Sequence, residues 1–120
     1  MRQNHTMIRV KDIEKSLKYY QETLGMTLVR TAEMPNAGFN LYFLGYPGEK
    51  GVPADGSTRH MEGLLELTWN YGTEKDESFS YHNGNAEPQG FGHLCEFYPA
   101  QEVLKVGEAF ANGGPRHLGG

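Results

Sequence analysis

Glu66 is the residue whose type and setting first suggest chemistry, because it is an acid inside a stretch with strand alternation, GLLELTWN from Gly63 to Asn70. Period-two alternation gives this stretch two faces: Leu65, Leu67 and Trp69 on one, and Leu64, Glu66, Thr68 and Asn70 on the other. A carboxylate in mid-strand is costly to bury unless it is paired, hydrogen-bonded or bound to a metal. Glu66 therefore either faces water on an open sheet face or has a cationic partner.

Two histidines on other predicted strands extend the set of candidate residues. His5 opens a predicted strand that ends at Val10 and that carries Arg9 on the same face, and His93 lies in a predicted strand from Phe91 to Phe97. Two imidazoles and a carboxylate form a ligand set that zinc, nickel, cobalt or iron accepts. The set has no diagnostic spacing, and three other histidines qualify equally well by composition: His60, His82 and His117.

The elements that must position these residues follow in the order strand, helix, strand, strand, strand. The helix is capped by Asp12 and ends at Gly25, and its apolar positions recur at helical spacing: Ile13, Leu17, Tyr20 and Leu24. Two strands, Met26 to Thr31 and Phe39 to Tyr46, are predicted on either side of a turn from Pro35 to Gly38. One face of the second of these strands is apolar: Phe39, Leu41 and Phe43.

The chain of 120 residues suffices for one domain with one core. Residues 5–70 form a first module, which contains a Gly- and Pro-rich loop from Pro47 to Gly56. A polar loop, residues 71–90, follows, and a loop of this length within a compact domain is more often functional than idle. Residues 91–112 begin a second module, with a loosely helical pattern over Gln101 to Ala111, and a Gly-rich tail occupies residues 113–120.

Composition and charge exclude several classes of function. Fifteen acids against eleven bases give a net charge of −4 without a basic stripe, so nucleic acid is not an expected partner. No apolar run approaches the roughly 20 residues that span a bilayer, so a membrane is not expected either. The amino end lacks the apolar stretch of a secretory signal, and the single Cys95 cannot form an internal disulfide. These features predict a cytoplasmic protein.

Several stretches carry a family resemblance, which covers about residues 5–95: HTMIRVKD from His5, SLKYY from Ser16, LGMTL from Leu24, FNLYFLGY from Phe39, LELTWNYGTE from Leu65, SYHNGN from Ser80 and GFGH from Gly90. In this register the chain resembles the lactoylglutathione lyases, or glyoxalase I enzymes, of the vicinal-oxygen-chelate superfamily. The SYHNGN and GFGH tracts and the long loop after Pro47 resemble the zinc-using type of this family rather than its compact nickel-using type.

The resemblance implies an α+β fold, a vicinal-oxygen-chelate βαβββ module followed by the start of a second, incomplete module. By position, the family's metal ligands fall on His5, Glu66 and His93, which implies one divalent ion per site, with zinc first and nickel second. Arg9 and Asn70 match residues that hold the glutathione moiety. The family's apolar substrate pocket falls on three further positions: Phe39, Leu41 and Phe43.

The reaction implied by the resemblance is isomerisation of the hemithioacetal of methylglyoxal and glutathione to S-lactoylglutathione. Its substrate is a small molecule that contains glutathione, and the protein is expected to be a homodimer. In dimeric family members the ligands matching His5 and Glu66 come from one chain, and the ligand matching His93 comes from the other. Each site would then need both chains.

The carboxyl-terminal part departs from the family after Cys95. The family's principal proton shuttle is a glutamate in that part, and none of the remaining glutamates matches its position: Glu96, Glu102 and Glu108. Glu66 is then the remaining acid–base candidate, and low turnover is expected. Gln89 stands where many relatives have a substrate-binding arginine, which predicts weaker recognition of the glutathione carboxylates. A natural truncation, a shortened gene model and a shifted reading frame near Cys95 are three explanations of this ending.

Two other functions stay open from the sequence. One is a catalytically inactive metal- or ligand-binding protein of the same fold, which would fit the loss of the shuttle carboxylate. The other is an iron-using relative of the extradiol dioxygenases, which would share the two-histidine, one-glutamate set but not the glutathione-type loop motifs.

Overall fold

Four strands form one mixed sheet in the computed structural model, which describes residues 1–97. The strands are β1, His5–Val10; β2, Thr27–Met34; β3, Phe39–Gly45; and β4, Leu64–Asn70. Their order across the sheet is β1-β4-β3-β2, with β4 parallel to β1 and antiparallel to β3. β2 and β3 form an antiparallel hairpin. The predicted order of elements and the α+β module are confirmed.

A short helix follows β1 and lies against the sheet. It begins as α1, Ile13–Lys18, and continues as a π-helical turn over Tyr19–Thr23. The Asp12 carboxylate accepts a hydrogen bond from the Lys15 backbone N–H at 3.2 Å, which confirms the predicted cap. This turn buries Tyr19, Tyr20 and Thr23. Within residues 1–97 no helix has the length and apolar character needed to cross a membrane.

The main core lies between this helix and one face of the sheet. Its buried members come from the helix region and from three strands: Val10, Ile13, Tyr19, Tyr20, Leu24, Met26, Leu44, Leu65 and Leu67. Leu44 and Leu67, on the two central strands, have no exposed surface. The alternation predicted for β4 is confirmed, because Leu65, Leu67 and the partly buried Trp69 all pack on this helix side.

The opposite face of the sheet, which we call the site face, carries the candidate functional residues. The β3–β4 register pairs Phe43 with Glu66, Leu41 with Thr68 and Phe39 with Asn70. Residues paired across neighbouring strands point to the same side of a sheet. The site face also holds a second apolar cluster, formed by Val29, Phe43 and Leu64 with the partly buried Leu41 and Met61.

Two of the predicted strands need correction. β2 runs to Met34 rather than ending at Thr31, because its pairing with β3 continues to the turn at Pro35 to Gly38. The strand predicted from Phe91 to Phe97 is wrong, since this stretch has no regular secondary structure. Alternation indicates which residues would share a face but not which neighbour would supply the hydrogen bonds of a strand. The predicted helical stretch Gln101 to Ala111 and the Gly-rich tail lie outside the described residues.

Candidate functional site

His5 and Glu66 meet on the site face although they belong to different strands. His5 Nε2 lies 3.8 Å from Glu66 Oε2, and the side chain of His5 is 41% exposed while that of Glu66 is 12% exposed. β1 and β4 run parallel, so the two residues sit diagonally, with Met7 directly beside Glu66. The rings of His5 and Phe43 are perpendicular, with 5.5 Å between their centroids. His5 and Glu66 therefore both lie on the site face.

The surroundings of Glu66 fit a bound cation. Its carboxylate accepts no hydrogen bond from any residue in 1–97, and His5 is its single ion-pair partner in that range. A nearly buried carboxylate is costly without a cation or a donor. Two ligand atoms 3.8 Å apart can both lie about 2.1 Å from one divalent ion, and imidazole nitrogen with carboxylate oxygen is a donor pair that zinc accepts. The two residues therefore fit a metal, as half of a four-ligand site.

The Asn4 side chain contacts the ring of His5, and the sequence did not indicate this contact. Its Oδ1 lies 2.7 Å from His5 Nδ1, and its Nδ2 donates to the carbonyls of Thr58 and Met61, each at 2.8 Å. The long loop before β4 thus reaches the residue next to the candidate ligand. An asparagine beside a histidine has no distinctive pattern, so the sequence alone held no signal for this contact.

His93 does not join His5 and Glu66 within one chain. Among residues 1–97 there is no group of three or more histidine, cysteine, aspartate or glutamate side chains that could hold a metal. His93 is exposed, and the next residue, Leu94, packs against the core on the helix side of the sheet. A single chain therefore presents two of the three predicted ligands together, and the convergence of all three stays a prediction.

Arg9 and Asn70 lie at the other end of the site face. Arg9 is exposed, and within residues 1–97 its guanidinium has neither an ion pair nor a hydrogen bond. Asn70 is half-buried, and its Oδ1 accepts a long hydrogen bond, 3.4 Å, from the Tyr81 hydroxyl. Phe39 and Leu41 are half-buried beside them, whereas Phe43 is buried. A free cation and an amide beside apolar surface can receive a molecule with a carboxylate and an apolar part.

A small network of hydrogen bonds connects the segment after β4 to the end of β1. The sequence did not indicate this network. The Lys11 ammonium donates to the Phe79 carbonyl at 2.6 Å, and the Thr73 hydroxyl donates to the Lys11 carbonyl at 2.6 Å. The rings of Phe79 and Tyr81 pack nearly perpendicular to each other, with 4.8 Å between their centroids. In the same segment the pKa of Asp76 is lowered, because the Ser78 hydroxyl and backbone N–H both donate to its carboxylate. The network holds Tyr81 beside Asn70.

Glu96 and His5 line the same pocket, but within residues 1–97 Glu96 forms no group with His5 and Glu66 that could hold a metal. Burial raises the pKa of its carboxyl group. The pKa of the buried Tyr20 hydroxyl is also raised, chiefly by burial, then by Tyr19 and then by the charge of Glu96. Glu96 is therefore near Tyr20, a member of the main core.

Comparison with known proteins shows the superfamily to which this chain belongs. The sequence matches the Glyoxalase/Bleomycin resistance protein/Dioxygenase superfamily over residues 2–115. Because this match covers nearly the whole chain, the chain belongs to that superfamily. The match continues past Cys95, where the resemblance drawn from individual motifs ends.

Within the superfamily, the chain is similar to glyoxalase I enzymes. It is 58% identical over 92 residues to glyoxalase I of Saccharomyces cerevisiae, a match that covers 77% of this chain and 27% of the yeast protein. It is 50% identical over 112 residues to a lactoylglutathione lyase of Pseudomonas putida, covering 89% of this chain and 64% of that protein. The chain thus spans only part of the length of these relatives. The resemblance to lactoylglutathione lyases is confirmed.

A solved structure supports the same fold. The trypanothione-dependent glyoxalase I of Leishmania major superposes with a TM-score of 0.63 and 34% sequence identity, over 93% of this chain and 66% of that one. The predicted glyoxalase-like fold class is confirmed by this likeness together with the superfamily match.

Proposed function

We propose that this chain acts as a lactoylglutathione lyase, isomerising the hemithioacetal of methylglyoxal and glutathione to S-lactoylglutathione. The observation that carries the proposal is the His5–Glu66 pair on the site face, in a chain whose relatives are named lactoylglutathione lyases and glyoxalase I. These relatives favour the lyase over an inactive binding protein and over an iron dioxygenase. A cytoplasmic location is part of the proposal, since glutathione keeps that compartment reducing.

The proposed metal site consists of His5, Glu66 and His93. Zinc is the first choice of ion and nickel the second, because an imidazole and carboxylate set suits both. When bound, the ion would supply Lewis-acid stabilisation of the negative charge that develops on the substrate oxygens. The contacts of His5 and Glu66 support this assignment, and His93 enters it through the family resemblance.

Glu66 is the proposed acid–base residue. The reaction moves one proton from a substrate carbon to the neighbouring carbon and another from the hydroxyl oxygen to the neighbouring carbonyl oxygen. Glu66 would accept the carbon-bound proton and then donate it to the neighbouring carbon, while the second proton passes between the two substrate oxygens. Glu66 Oε2 faces His5, and its low exposure keeps bulk water from competing for the transferred proton. Turnover is expected to be low, because no second carboxylate within residues 1–97 accompanies Glu66 at the site.

Arg9 and Asn70 are the proposed contacts to the glutathione part of the substrate. A free guanidinium pairs well with a carboxylate, and the Asn70 amide can add a neutral hydrogen bond. Phe39, Leu41 and Phe43 are proposed to line the pocket for the apolar part of the substrate. Gln89 has no charge to offer, so binding rests mainly on Arg9.

A homodimer is proposed to complete the site. A single chain brings together two of the proposed ligands, and the exposed His93 is free of any partner within residues 1–97. In a two-fold dimer each chain can give His93 to the site of the other, which yields two equivalent sites. Sedimentation should show a dimer, and a well-folded monomer that retains bound metal would refute this arrangement.

Metal analysis followed by a thioester assay tests the proposed function. The full chain is loaded with zinc or nickel, its metal content is measured, and methylglyoxal with glutathione is supplied while thioester formation is followed. The proposal predicts metal-dependent thioester formation above the uncatalysed rate. Bound zinc without thioester formation would indicate a binding protein, and a preference for iron with oxygen consumption on catechols would indicate a dioxygenase.

A further inference from the structure

We propose that Asn4 is a positioning residue that fixes the tautomer of His5, so that Nδ1 carries the proton and Nε2 presents its lone pair toward Glu66. The inference deepens the proposed metal site and rests on that proposal. It assigns a role to a residue outside the predicted ligand set, and it uses contacts that are all present in one chain.

The orientation of the Asn4 amide is set by the loop before β4. Its Nδ2 has two N–H groups, and each has its own acceptor, the Thr58 carbonyl and the Met61 carbonyl, both at 2.8 Å. The flipped amide would place Oδ1 against both carbonyl oxygens, which would exchange two hydrogen bonds for two repulsive contacts. The network therefore selects the orientation in which Oδ1 points at His5.

The proton on His5 follows from this orientation. Asn4 Oδ1 can only accept, and it lies 2.7 Å from His5 Nδ1, a distance typical of a hydrogen bond. His5 Nδ1 must therefore donate. In a neutral imidazole one nitrogen is the donor and the other the acceptor, so His5 Nε2 is left with its lone pair.

The tautomer determines whether His5 Nε2 presents a proton or a lone pair to Glu66. With Nε2 unprotonated, a nitrogen lone pair and a carboxylate oxygen face each other at 3.8 Å, beyond the length of a normal hydrogen bond. Two electron-pair donors in this arrangement repel each other and attract a cation. A hydrogen bond from the second ring nitrogen to a fixed acceptor is also the usual way in which proteins orient metal-binding histidines.

The loop before β4 is thereby linked to the metal ligand. Thr58 is buried, its carbonyl also accepts from the Met61 N–H at 3.1 Å, and the chain enters β4 through a hydrogen bond from the Leu64 N–H to the Asn4 carbonyl at 2.9 Å. Asn4 is thus held by its backbone and by both ends of its side chain. The residue is rigid enough to impose one ring orientation on His5.

Nitrogen NMR of the metal-free full chain at neutral pH tests the tautomer directly. Two-bond nitrogen–proton correlations distinguish a protonated Nδ1 from a protonated Nε2 in each histidine ring. We expect the Nδ1–H tautomer for His5. A neutral His5 ring that carries its proton on Nε2 would overturn the proposal even if no variant could be produced.

Asn4→Ala, with Gln3→Ala as the matched control, measures the consequence. Gln3 is the neighbouring amide and donates to Thr6 rather than to His5. We expect Asn4→Ala to mix the His5 tautomers and to weaken zinc binding by about 10- to 100-fold, with Gln3→Ala like the parent. A merely structural role would lower the melting temperature of Asn4→Ala but leave the tautomer of His5 unchanged, and that result would refute the proposal.

His5→Ala separates this inference from the proposed function. If His5→Ala binds zinc as tightly as the parent, the metal site itself is misassigned and both proposals fall. If His5→Ala loses zinc while Asn4→Ala retains both parental affinity and the Nδ1–H tautomer, only the role of Asn4 is refuted. The two failures are therefore distinguishable.

Discussion

Glu66 and His5 place a carboxylate oxygen and an imidazole nitrogen 3.8 Å apart on the site face. A carboxylate of low exposure is costly without a cation or a hydrogen-bond donor. Because Asn4 Oδ1 occupies His5 Nδ1, Nε2 is the ring nitrogen that is available toward Glu66, and a divalent ion would suit both groups.

Removing either proposed ligand should abolish most metal binding. We expect His5→Ala and Glu66→Ala each to weaken zinc binding by at least about 100-fold, because loss of a direct ligand costs more than loss of its supporting partner. Competition with a chromophoric chelator measures the affinity. His60→Ala, which removes an exposed histidine, should bind zinc like the parent. Parental affinity in His5→Ala and Glu66→Ala would show that the site lies elsewhere.

At the residue scale the sequence indicated the proposed ligands but not the contact between Asn4 and His5. Alternation alone placed Glu66 on the face opposite Leu65 and Leu67, and the structure confirms that placement. Alternation cannot reveal Asn4, whose role depends on carbonyls more than fifty residues away along the chain. Such contacts are set by the path of a loop, which local patterns do not encode.

β4 is the element that joins the core to the site. It lies between β1 and β3, and its alternate residues supply Leu67 to the core and Glu66 to the site face. A slip of one residue in its register would exchange the two faces. Packing of its apolar side against the helix therefore fixes the position of Glu66.

Truncating Leu67 should destabilise the whole fold. Leu67 has no exposed surface, so we expect Leu67→Ala to lower the free energy of unfolding by about 2–5 kcal/mol, through lost burial and the cavity left behind. Urea denaturation at a fixed chain concentration measures this change. Val52→Ala, at a position that is 41% exposed, should change it by less than about 0.5 kcal/mol. Equal effects of the two variants would contradict the described core.

The turn at Asp76 should make stability depend on acid pH. Its pKa in the folded chain is below the ordinary value of 3.8, because Ser78 donates two hydrogen bonds to the carboxylate. The stabilisation is therefore complete above pH 3.8 and is lost as the pH falls through the lowered folded-state pKa. Melting temperatures measured from neutral to acid pH should fall less steeply for Asp76→Asn than for the parent. Identical slopes would refute this contribution.

At the element scale, strands were predicted correctly where an alternating sequence also has a neighbouring strand to pair with. The predicted bounds of β1, His5 to Val10, are those observed, and the helix begins after Asp12 as expected. The stretch from Phe91 to Phe97 alternates like a strand but has no strand pairing. Strand formation depends on a neighbouring strand, and a single sequence does not say whether one is available.

The arrangement of whole chains matters because a single chain, within residues 1–97, brings together only two of its three proposed ligands. The relatives are longer, and this chain spans 27% of the yeast protein and 64% of the Pseudomonas putida protein. Two copies of this chain would together supply all three proposed ligands to each site. The proposed site then lies between chains, with His5 and Glu66 from one and His93 from the other.

Mixing two defective variants tests whether the site is shared. His5→Ala and His93→Ala should each lose most zinc binding. After joint unfolding and refolding, half of the dimers are mixed, and each mixed dimer has one intact site, so about a quarter of the parental zinc capacity should return. Refolding each variant alone is the control. A mixture that binds no more zinc than the separate variants would contradict a site shared between chains.

Initial rates of thioester formation by Glu66→Gln, measured with saturating zinc, test the central claim most directly. The substitution keeps the shape of the side chain but removes its ability to take and return a proton. Glu62→Gln is the control, because Glu62 is an exposed glutamate near the start of β4 that pairs with Arg2. We predict a slow but zinc-dependent rate for the parent and for Glu62→Gln, and a rate lower by about 10² to 10⁴ for Glu66→Gln. A parental rate in Glu66→Gln, or no catalysis by the zinc-loaded parent, would contradict the assignment of this site to the lyase reaction.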